Sequence, residues 1–532
     1  MKKSFILLFA VAVTTSSVAQ QYISVVGTPA NAYDTNASVS QVEELIPADQ
    51  VEKITYEADS LFDTYLLNGK IAANASTTLF SKALKLTALA DTLMKYDRRF
   101  LDGTERSYYR YKINVDSEVA WYDMERFYDY TVFVEPDSVF AAAGITNIDQ
   151  LKAYAKNIYD AVYPEDAQVS DPKDRRNSLN RFVAYHILRY PMRLNQLTAE
   201  DGNTLANNFN RNLADISAYH TTLMGAVFKV SAPQISGKGL FLNRRGVKNN
   251  ADKYGKKVPG IKIVNGSSVE ALNGYYHLID GILTYDQQTI DNVLGDERWR
   301  VDIKLLSPDF MIHADELRGN YMITEDPNNP DPYSPYGRNI AYKWGTLENI
   351  TANDADDRYN TSPLVHRRAH KVFWCYEGDE IDLLGLSDFT IRLPLLPAGQ
   401  WEVRLGYCGG VGAHPDVALY LNDKLTIERL HMSYYYSQNR EKALTDASAP
   451  KVLPGPKEYG CGLYSYSIYW FNEIDNLCRA VVGRIVSDGK SNCTLRLRVH
   501  EPETQGNLQE LMLDYLEFCP VSIADNQEIP ED

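Results

Sequence analysis

"EALNGYYHLIDGILTYD", Glu270 to Asp286, sets a histidine and an aspartate among aromatic and aliphatic side chains. His277 and Asp280 lie three residues apart and invite a catalytic pairing. On an extended strand, however, positions 277 and 280 point to opposite faces, because side chains alternate with a period of two. His277 shares a face with Tyr275 and Ile279 instead, which predicts a buried ring held by a hydrogen bond. The stretch reads as scaffold, so function has to be sought elsewhere in the chain.

With 532 residues the chain exceeds one ordinary core, and two or three domains are expected. Hydrophobic residues at 44% and charged residues at 23% are those of a globular protein. A formal charge of −16 argues against nucleic acid or an anionic membrane as the general partner. The amino terminus, "MKKSFILLFAVAVTTSSVAQQ", has Lys2 and Lys3 before an apolar run from Phe5 to Val13, then the small Ser17-Val18-Ala19 site. Residues 1–19 therefore read as an export signal, too short to span a bilayer. No cysteine follows the cleavage site, so no lipoprotein attachment is expected, and no later segment is long and apolar enough to span. The expected location is outside the cytoplasm: periplasm, cell surface or medium.

Residues 20–52, rich in Ala, Thr, Ser and Val without a sustained period, read as a leader. Helical spacing begins in "STTLFSKALKLTALADTL" and recurs in "NIDQLKAYAKNIYDAVY" and "SLNRFVAYHILRY". "YTVFVEPDSVF" and "TLMGAVFKVS" read as strands, and the Tyr-, Arg- and Asp-dense residues 95–128 as an insertion. After about residue 295 period-two runs dominate, among them "WRVDIKLL", "GQWEVRLGY", "VALYLND" and "CTLRLRVH". Turn signals separate them, which predicts a β-sandwich or jelly roll over 295–520. Residues 521–532 form an acidic tail. The fold class expected is multidomain: an α+β unit over 53–290 followed by an all-β sandwich. All six cysteines lie between Cys375 and Cys519. If the strands "CTLRLRV" and "LMLDYLEFC" pair antiparallel, Cys493 and Cys519 come close, and that bridge ranks first among fifteen connectivities.

The first unit resembles the fasciclin-like domain. That family carries a box matched here by Thr131, Val132, Phe133, Asp137 and Phe140, with Val134, Glu135, Pro136, Ser138 and Val139 departing from it. Its Tyr-His pair is matched by Tyr185 and His186. Its final box is matched by Asn273, Gly274, His277, Ile279, Asp280 and Leu283, the most specific of the three. The resemblance spans roughly residues 53–290 with three insertions, and implies adhesion or ligand binding outside the cell with no shared catalytic chemistry. The second half resembles galactose-binding-like jelly rolls of carbohydrate-binding modules, through "LPAGQWEVRLGY", "DVALYLNDK" and a closing strand with Asp514 and Tyr515. Signal, first unit and sandwich together look like exported multidomain proteins of gut-type Bacteroidetes.

Candidate sites follow from residue chemistry. "MSYYYSQNR" and "YGCGLYSYSIYWF" supply Tyr434, Tyr435, Tyr436, Tyr464, Tyr466 and Trp470, whose planes can stack on the apolar faces of sugar rings. The loop from Lys238 to Lys262 gathers Arg244, Arg245, Lys256, Lys257 and four further lysines against one acid, Asp252, and could hold an anionic glycan or an acidic partner. His366 and His370 would share a helix face, but "KVFWCY" reads as strand, where positions four apart are separated by about 13 Å. No metal site or cofactor is expected from them. The acidic runs at 353–360 and 325–332 offer oxygens for a structural calcium without an EF-hand spacing. No nucleophile motif, HExxH or phosphate loop is present. The expected function is non-enzymatic binding of a glycan or protein partner at the cell envelope; the alternatives are a glycan-processing enzyme, which needs paired carboxylates across a cleft, and a structural envelope or fimbria-like subunit.

Overall fold

The structure, a computed structural model, describes residues 5–12, 22–29, 42–47, 63–95, 109–112, 119–123, 128–198, 215–233, 239–245, 258–312, 339–353, 357–367, 380–409, 414–454, 477–502 and 510–526. Strands β1 (Phe5–Ala12), β2 (Tyr22–Pro29) and β3 (Val42–Pro47) pair antiparallel in a sheet of their own. They fall in the stretch read as signal and aperiodic leader. β2 holds Ile23, Val25, Val26 and Thr28, whose branched Cβ atoms favour extended backbone even without alternation. The stretch read as an insertion supplies β4 (Tyr109–Lys112) and β5 (Val119–Asp123).

The first unit surrounds β6 (Tyr130–Val134), buried at all five positions. β7 (Ile187–Leu188) flanks it on one side, and β13 (Gly274–Leu278) lies parallel to it on the other, with β12 (Val269–Ala271) at the edge. A second sheet has the order β11-β10-β9-β8, from β8 (Asp215–Thr221), β9 (Val227–Pro233), β10 (Phe241–Leu242) and β11 (Ile261–Lys262). "TLMGAVFKVS" is thus not one strand. Gly225, at φ +97°, turns the chain between β8 and β9. The helix Ile148–Val162 begins at Asn147, whose side chain accepts from the N–H groups of Asp149 and Gln150, and it buries Leu151, Ala155 and Tyr159 on one stripe.

The Asn-Gly pair of the opening stretch is a joint of this unit. Asn273 Oδ1 accepts the Leu67 N–H at 2.9 Å, and its Nδ2 donates to the carbonyls of Leu93 and Lys95 at 2.8 and 2.6 Å. One buried amide therefore satisfies backbone groups of two helical segments far away in sequence. Gly274 follows at φ +127°, and a Cβ there would lie 1.8 Å from the Tyr130 carbonyl oxygen. Only glycine lets β13 and β6 approach so closely.

The second half is β-rich. β14 (Trp299–Asp302), β20 (Gly399–Cys408), β23 (Val452–Pro454), β24 (Leu477–Ser487) and β27 (Tyr515–Pro520) form one antiparallel sheet in the order β14-β27-β20-β24-β23. β16 (Ile350–Ala352), β19 (Asp388–Arg392), β21 (Asp416–Leu421), β22 (Lys424–His431) and β25 (Thr494–Val499) form the other, in the order β16-β19-β25-β21-β22. These two sheets make a β-sandwich filled by Val403, Leu405, Phe518, Leu419, Leu495, Leu497 and their neighbours. A third sheet combines β15 (Asn339–Tyr342), β17 (Leu364–Arg367), β18 (Glu380–Leu384) and β26 (Glu510–Leu513) with β5 and β4. β5 runs parallel to β15, so the stretch 95–128 crosses from the first half of the chain into a sheet of the second.

Other contacts join the halves. Tyr219 stacks on Trp299 at 5.3 Å, Trp299 meets Trp401 edge-on, and Lys490 pairs with Glu165 at 2.7 Å. Lys229 and Glu297 form a buried ion pair.

β27 is buried on both faces. Leu516 and Phe518 enter the sandwich, while Glu517 points to the other side among arginines. Its carboxylate takes Arg300 at 2.8 Å, Arg404 at 2.6 Å and Arg479 at 3.1 Å, with Arg298 at 3.7 Å. Burial alone would push this carboxyl up, but the surrounding guanidiniums outweigh it and hold it well below the usual carboxylate range.

The expected bridge between Cys493 and Cys519 does not form; both thiols are free and buried, as is Cys478. The two strands that were to pair lie in opposite sheets. β25 runs between β19 and β21, whereas β27 runs between β14 and β20, and Cys519 stands opposite Glu402. Cys375 and Cys461 lie outside the described residues.

Candidate functional site

The two sheets of the sandwich differ in what they leave open. Along β25, Leu495, Leu497 and Val499 are buried while Thr494, Arg496 and Arg498 are partly exposed. The alternation "TLRLRV" thus puts leucines in the core and arginines on an open face. Register places a row across all five strands there: Thr351 opposite Thr390, Thr390 opposite Arg496, Arg496 opposite Tyr420, and Tyr420 opposite Leu425. Leu425 is 46% exposed. The Arg496 guanidinium lies over the Tyr420 ring, 5.0 Å from its centroid. The row offers hydroxyls at one end and an apolar, aromatic surface at the other.

One carboxylate organises the arginines. Asp388, 2% exposed at its side chain, takes Arg496 through both oxygens at 2.7 Å each and Arg498 at 3.6 Å. Asn353 donates to the same carboxylate at 2.8 Å, and the Asn360 amide holds the Asp388 backbone on both its N–H and carbonyl sides. Asn353 and Asn360, the amides that bound the run 353–360 read as a possible calcium site, are therefore occupied in orienting Asp388, while residues 354–356 and the second such run, 325–332, lie outside the described residues. Among the described residues no cluster of metal-ligating side chains occurs. Arg498 lies over the Tyr359 ring, and Arg392, exposed on the same face, donates to Asn492 at 2.6 Å.

Further along the same face β21 and β22 end in a linked group. His431 Nδ1 meets Asp416 at 2.7 Å, and its Nε2 lies 2.7 Å from Lys442 Nζ. An ammonium can only donate, so the contact with Lys442 makes Nε2 an acceptor and leaves Nδ1–H to donate to Asp416. Tyr434 stacks on His431 with centroids 4.7 Å apart.

The residues picked from sequence are scattered by comparison. Tyr434 is half-buried in that stack. Tyr435 precedes the helix Tyr436–Thr445, where its N–H donates to Gln438, and Tyr436 packs partly buried against the core. Tyr464, Tyr466 and Trp470 lie outside the described residues, as do Lys256 and Lys257. Arg244 lies over the Phe241 ring. Arg245 is not available to a ligand: it is buried, paired with Asp296 at 2.6 Å and Glu297 at 3.6 Å. The lysine-rich loop was expected to offer its cations to an anionic partner, but Arg245 is drawn inward by two acids at the start of the second half. Tyr420, Asp388, Arg392, Arg496 and Arg498 were not singled out. The signal was present in the alternation of "CTLRLRV", which says that one face carries arginine and the other leucine.

The family-box residues are internal fittings. Thr131 Oγ1 donates to the Tyr190 carbonyl and accepts the Met192 N–H. Asp137 accepts from the Thr78 hydroxyl and the Leu79 N–H, Tyr185 OH donates to Val227, and Ile279 and Phe133 are fully buried. His186 is fully buried, with Nδ1 donating to the Phe182 carbonyl and Nε2 2.7 Å from Glu135. Glu135, a departure from the family box, is thus that histidine's partner and also accepts the Leu283 N–H. His366 is buried on β17 against Phe310; His370 lies outside the described residues.

His277 and Asp280 are not partners. Asp280 accepts the Lys262 N–H, while His277 Nε2 donates to the Met192 carbonyl at 2.9 Å and Nδ1 accepts from Ser268 at 2.8 Å. Burial pushes the His277 pKa down to about 4. The unfolded chain therefore takes up a proton near pH 6.5 that the folded one refuses, so this contribution to stability is full above pH 6.5 and is lost as pH falls toward 4. The loss amounts to about 3 kcal/mol over that window. Denaturant titrations of the wild type and His277→Gln from pH 7 to 4 should show the wild type losing more stability over this window by about that amount; parallel curves of stability against pH would count against it. His414, also lowered by burial, acts in the same sense.

Among the described residues no helix is long and apolar enough to cross a membrane. No family model matches the chain, and no curated protein matches it in sequence. Among solved structures it is similar to a family 35 carbohydrate-binding module from Clostridium thermocellum, at 11% identity over 35% of this chain and 99% of that one, with a TM-score of 0.14. It is similar also to a xanthan lyase from Paenibacillus, at 10% identity over 32% of this chain and 12% of that one, with a TM-score of 0.16. A calcium-binding mutant of beta-glucuronidase 2 from Bacteroides uniformis is matched at 11% identity over 35% of this chain and 18% of that one, with a TM-score of 0.15. The chain thus spans nearly the whole of the first structure and under a fifth of the other two.

Proposed function

We propose that this chain is an exported, non-catalytic binding protein whose sandwich, of jelly-roll type, recognises a glycan on the open face of β16-β19-β25-β21-β22, next to a fasciclin-like first unit. The row Thr351, Thr390, Arg496, Tyr420 and Leu425 carries the reading. A sugar presents apolar C–H faces and hydroxyl edges together, and this row presents an aromatic and aliphatic surface beside hydroxyls and guanidinium donors. The strands hold these groups in fixed positions, which lowers the entropy lost on binding. The fasciclin-like assignment is supported by the three residue boxes and by the work of Asn273 and Gly274 where β13 meets β6. The amino-terminal stretch read as an export signal supports a ligand outside the cytoplasm.

The test is a glycan array on the full chain beside its Tyr420→Ala variant. At least one glycan should bind the wild type, and the variant should bind it about tenfold more weakly, in keeping with one lost stacking contact. Equal binding by both proteins would move the site off this face. No binding by either would remove the glycan reading.

A further inference from the structure

The arrangement around Asp388 reaches past the class of ligand to its charge. We propose that the open face selects glycans bearing negatively charged substituents, carboxylate or sulfate, an inference that rests on the glycan reading above.

On the two adjacent strands β19 and β25 three guanidiniums stand beside a single carboxylate, Asp388, which takes Arg496 and Arg498 while Arg392 donates to Asn492. The remaining fixed partners named on this face, Asn353, Asn360 and Asn492, are neutral amides. The middle of the face therefore carries excess positive charge on a chain whose formal charge is −16. Asp423, in the turn joining β21 to β22, is a further carboxylate acting on Arg496, and Lys424 follows it directly. Asp416, further along, is already engaged by Arg429 at 3.2 Å and by His431.

Asp388 does more than neutralise. Its carboxylate takes Arg496 in a two-pronged grip, and the Tyr420 ring lies against the guanidinium plane, so few rotamers remain open. Arg498 is held more loosely, with 41% of its side chain exposed against 26% for Arg496. Arg496 is a fixed post, and Arg498 and Arg392 are the cations with donors to spare. Arg496 and Arg498 rise from Cα positions about 7 Å apart on one face of the strand and converge on Asp388, so one acidic sugar can meet one or both. An ordered arginine gives up less entropy on meeting an anion than a free surface lysine does.

The experiment measures binding of the full chain to a sulfated polysaccharide (heparin), a carboxylated one (polygalacturonate) and a neutral glucan, at low and high salt. An Arg392→Gln/Arg498→Gln variant is run alongside, since both side chains are at least partly exposed and the fold should survive. The expected result is tighter binding to one or both acidic polymers, weakened by salt and about tenfold weaker in the variant. Comparison of the two acidic polymers shows which substituent is taken. If the neutral glucan binds as tightly and the variant matches the wild type, the charge inference falls while the glycan reading stands. If no polymer binds, and the array is blank as well, both fall. Acidic-polymer binding that the variant leaves untouched also overturns the inference and moves the site elsewhere, with the lysine-rich loop as the next place to look.

Discussion

Glu517→Ala is expected to destabilise the protein by at least about 3–5 kcal/mol, enough to unfold a marginal domain. The side chain is fully buried and takes three guanidiniums, Arg300, Arg404 and Arg479, within 3.1 Å, with a fourth, Arg298, at 3.7 Å. Removing it leaves those cations crowded in a low-dielectric interior, where mutual repulsion is screened least. Glu402 stays to accept from Arg404 at 2.7 Å, but it also accepts from Arg484 and cannot serve the others. Glu517→Gln keeps the volume and part of the hydrogen bonding while losing the charge. It should fall between wild type and Ala, which separates charge from packing. Denaturant unfolding of the three proteins is the measurement, and a cost under about 1 kcal/mol for Ala would mean that water reaches the cluster and screens it. Because the Glu517 carboxyl is held below its ordinary range, its contribution is full above the unfolded carboxyl pKa. It is lost progressively as pH falls below that value toward the lowered folded one, so mild acid should mimic the mutation only in part.

Gly274→Ala is the second large effect. A Cβ at this position meets the Tyr130 carbonyl oxygen at 1.8 Å, and φ is +127°, where side chains other than hydrogen are strained. The parallel pairing of β13 with β6 must open or shift, and with it the Asn273 amide that ties Leu67, Leu93 and Lys95 together. The expected cost is about 3 kcal/mol or more. Gly144→Ala supplies the control. It has φ +79° but open space around its Cβ, so it should cost only about 1 kcal/mol, from backbone conformation alone. Equal costs for the two variants in thermal or denaturant unfolding would show that close approach contributes nothing.

Much of the architecture could be read from local pattern. Period-two runs such as "GQWEVRLGY" and "CTLRLRVH" are strands β20 and β25, and "NIDQLKAYAKNIYDAV" is a capped helix. His277 and Asp280 diverge as their spacing requires. Local pattern fails wherever a property depends on which strand lies beside which. The Cys493–Cys519 bridge assumed that two strands close in sequence pair, and they lie in opposite sheets. Residues 109–123 looked like an insertion in the first unit, yet β5 pairs with β15 more than two hundred residues later. Arg245 looked like part of a free basic loop until Asp296 and Glu297 were brought up to it.

The sequence by itself determined where most of the helices and strands of the two units lie and which face of each strand is apolar. Those properties depend on neighbours within a few residues, through side-chain periodicity and backbone sterics. Only the tertiary structure decided that Thr351, Thr390, Arg496, Tyr420 and Leu425 form one row, that Asp388 gathers two arginines, and that Glu517 gathers four. Each of these depends on the order and register of strands, which are settled by packing across the whole sandwich. A one-residue slip would have turned the arginines of β25 into the core and its leucines outward.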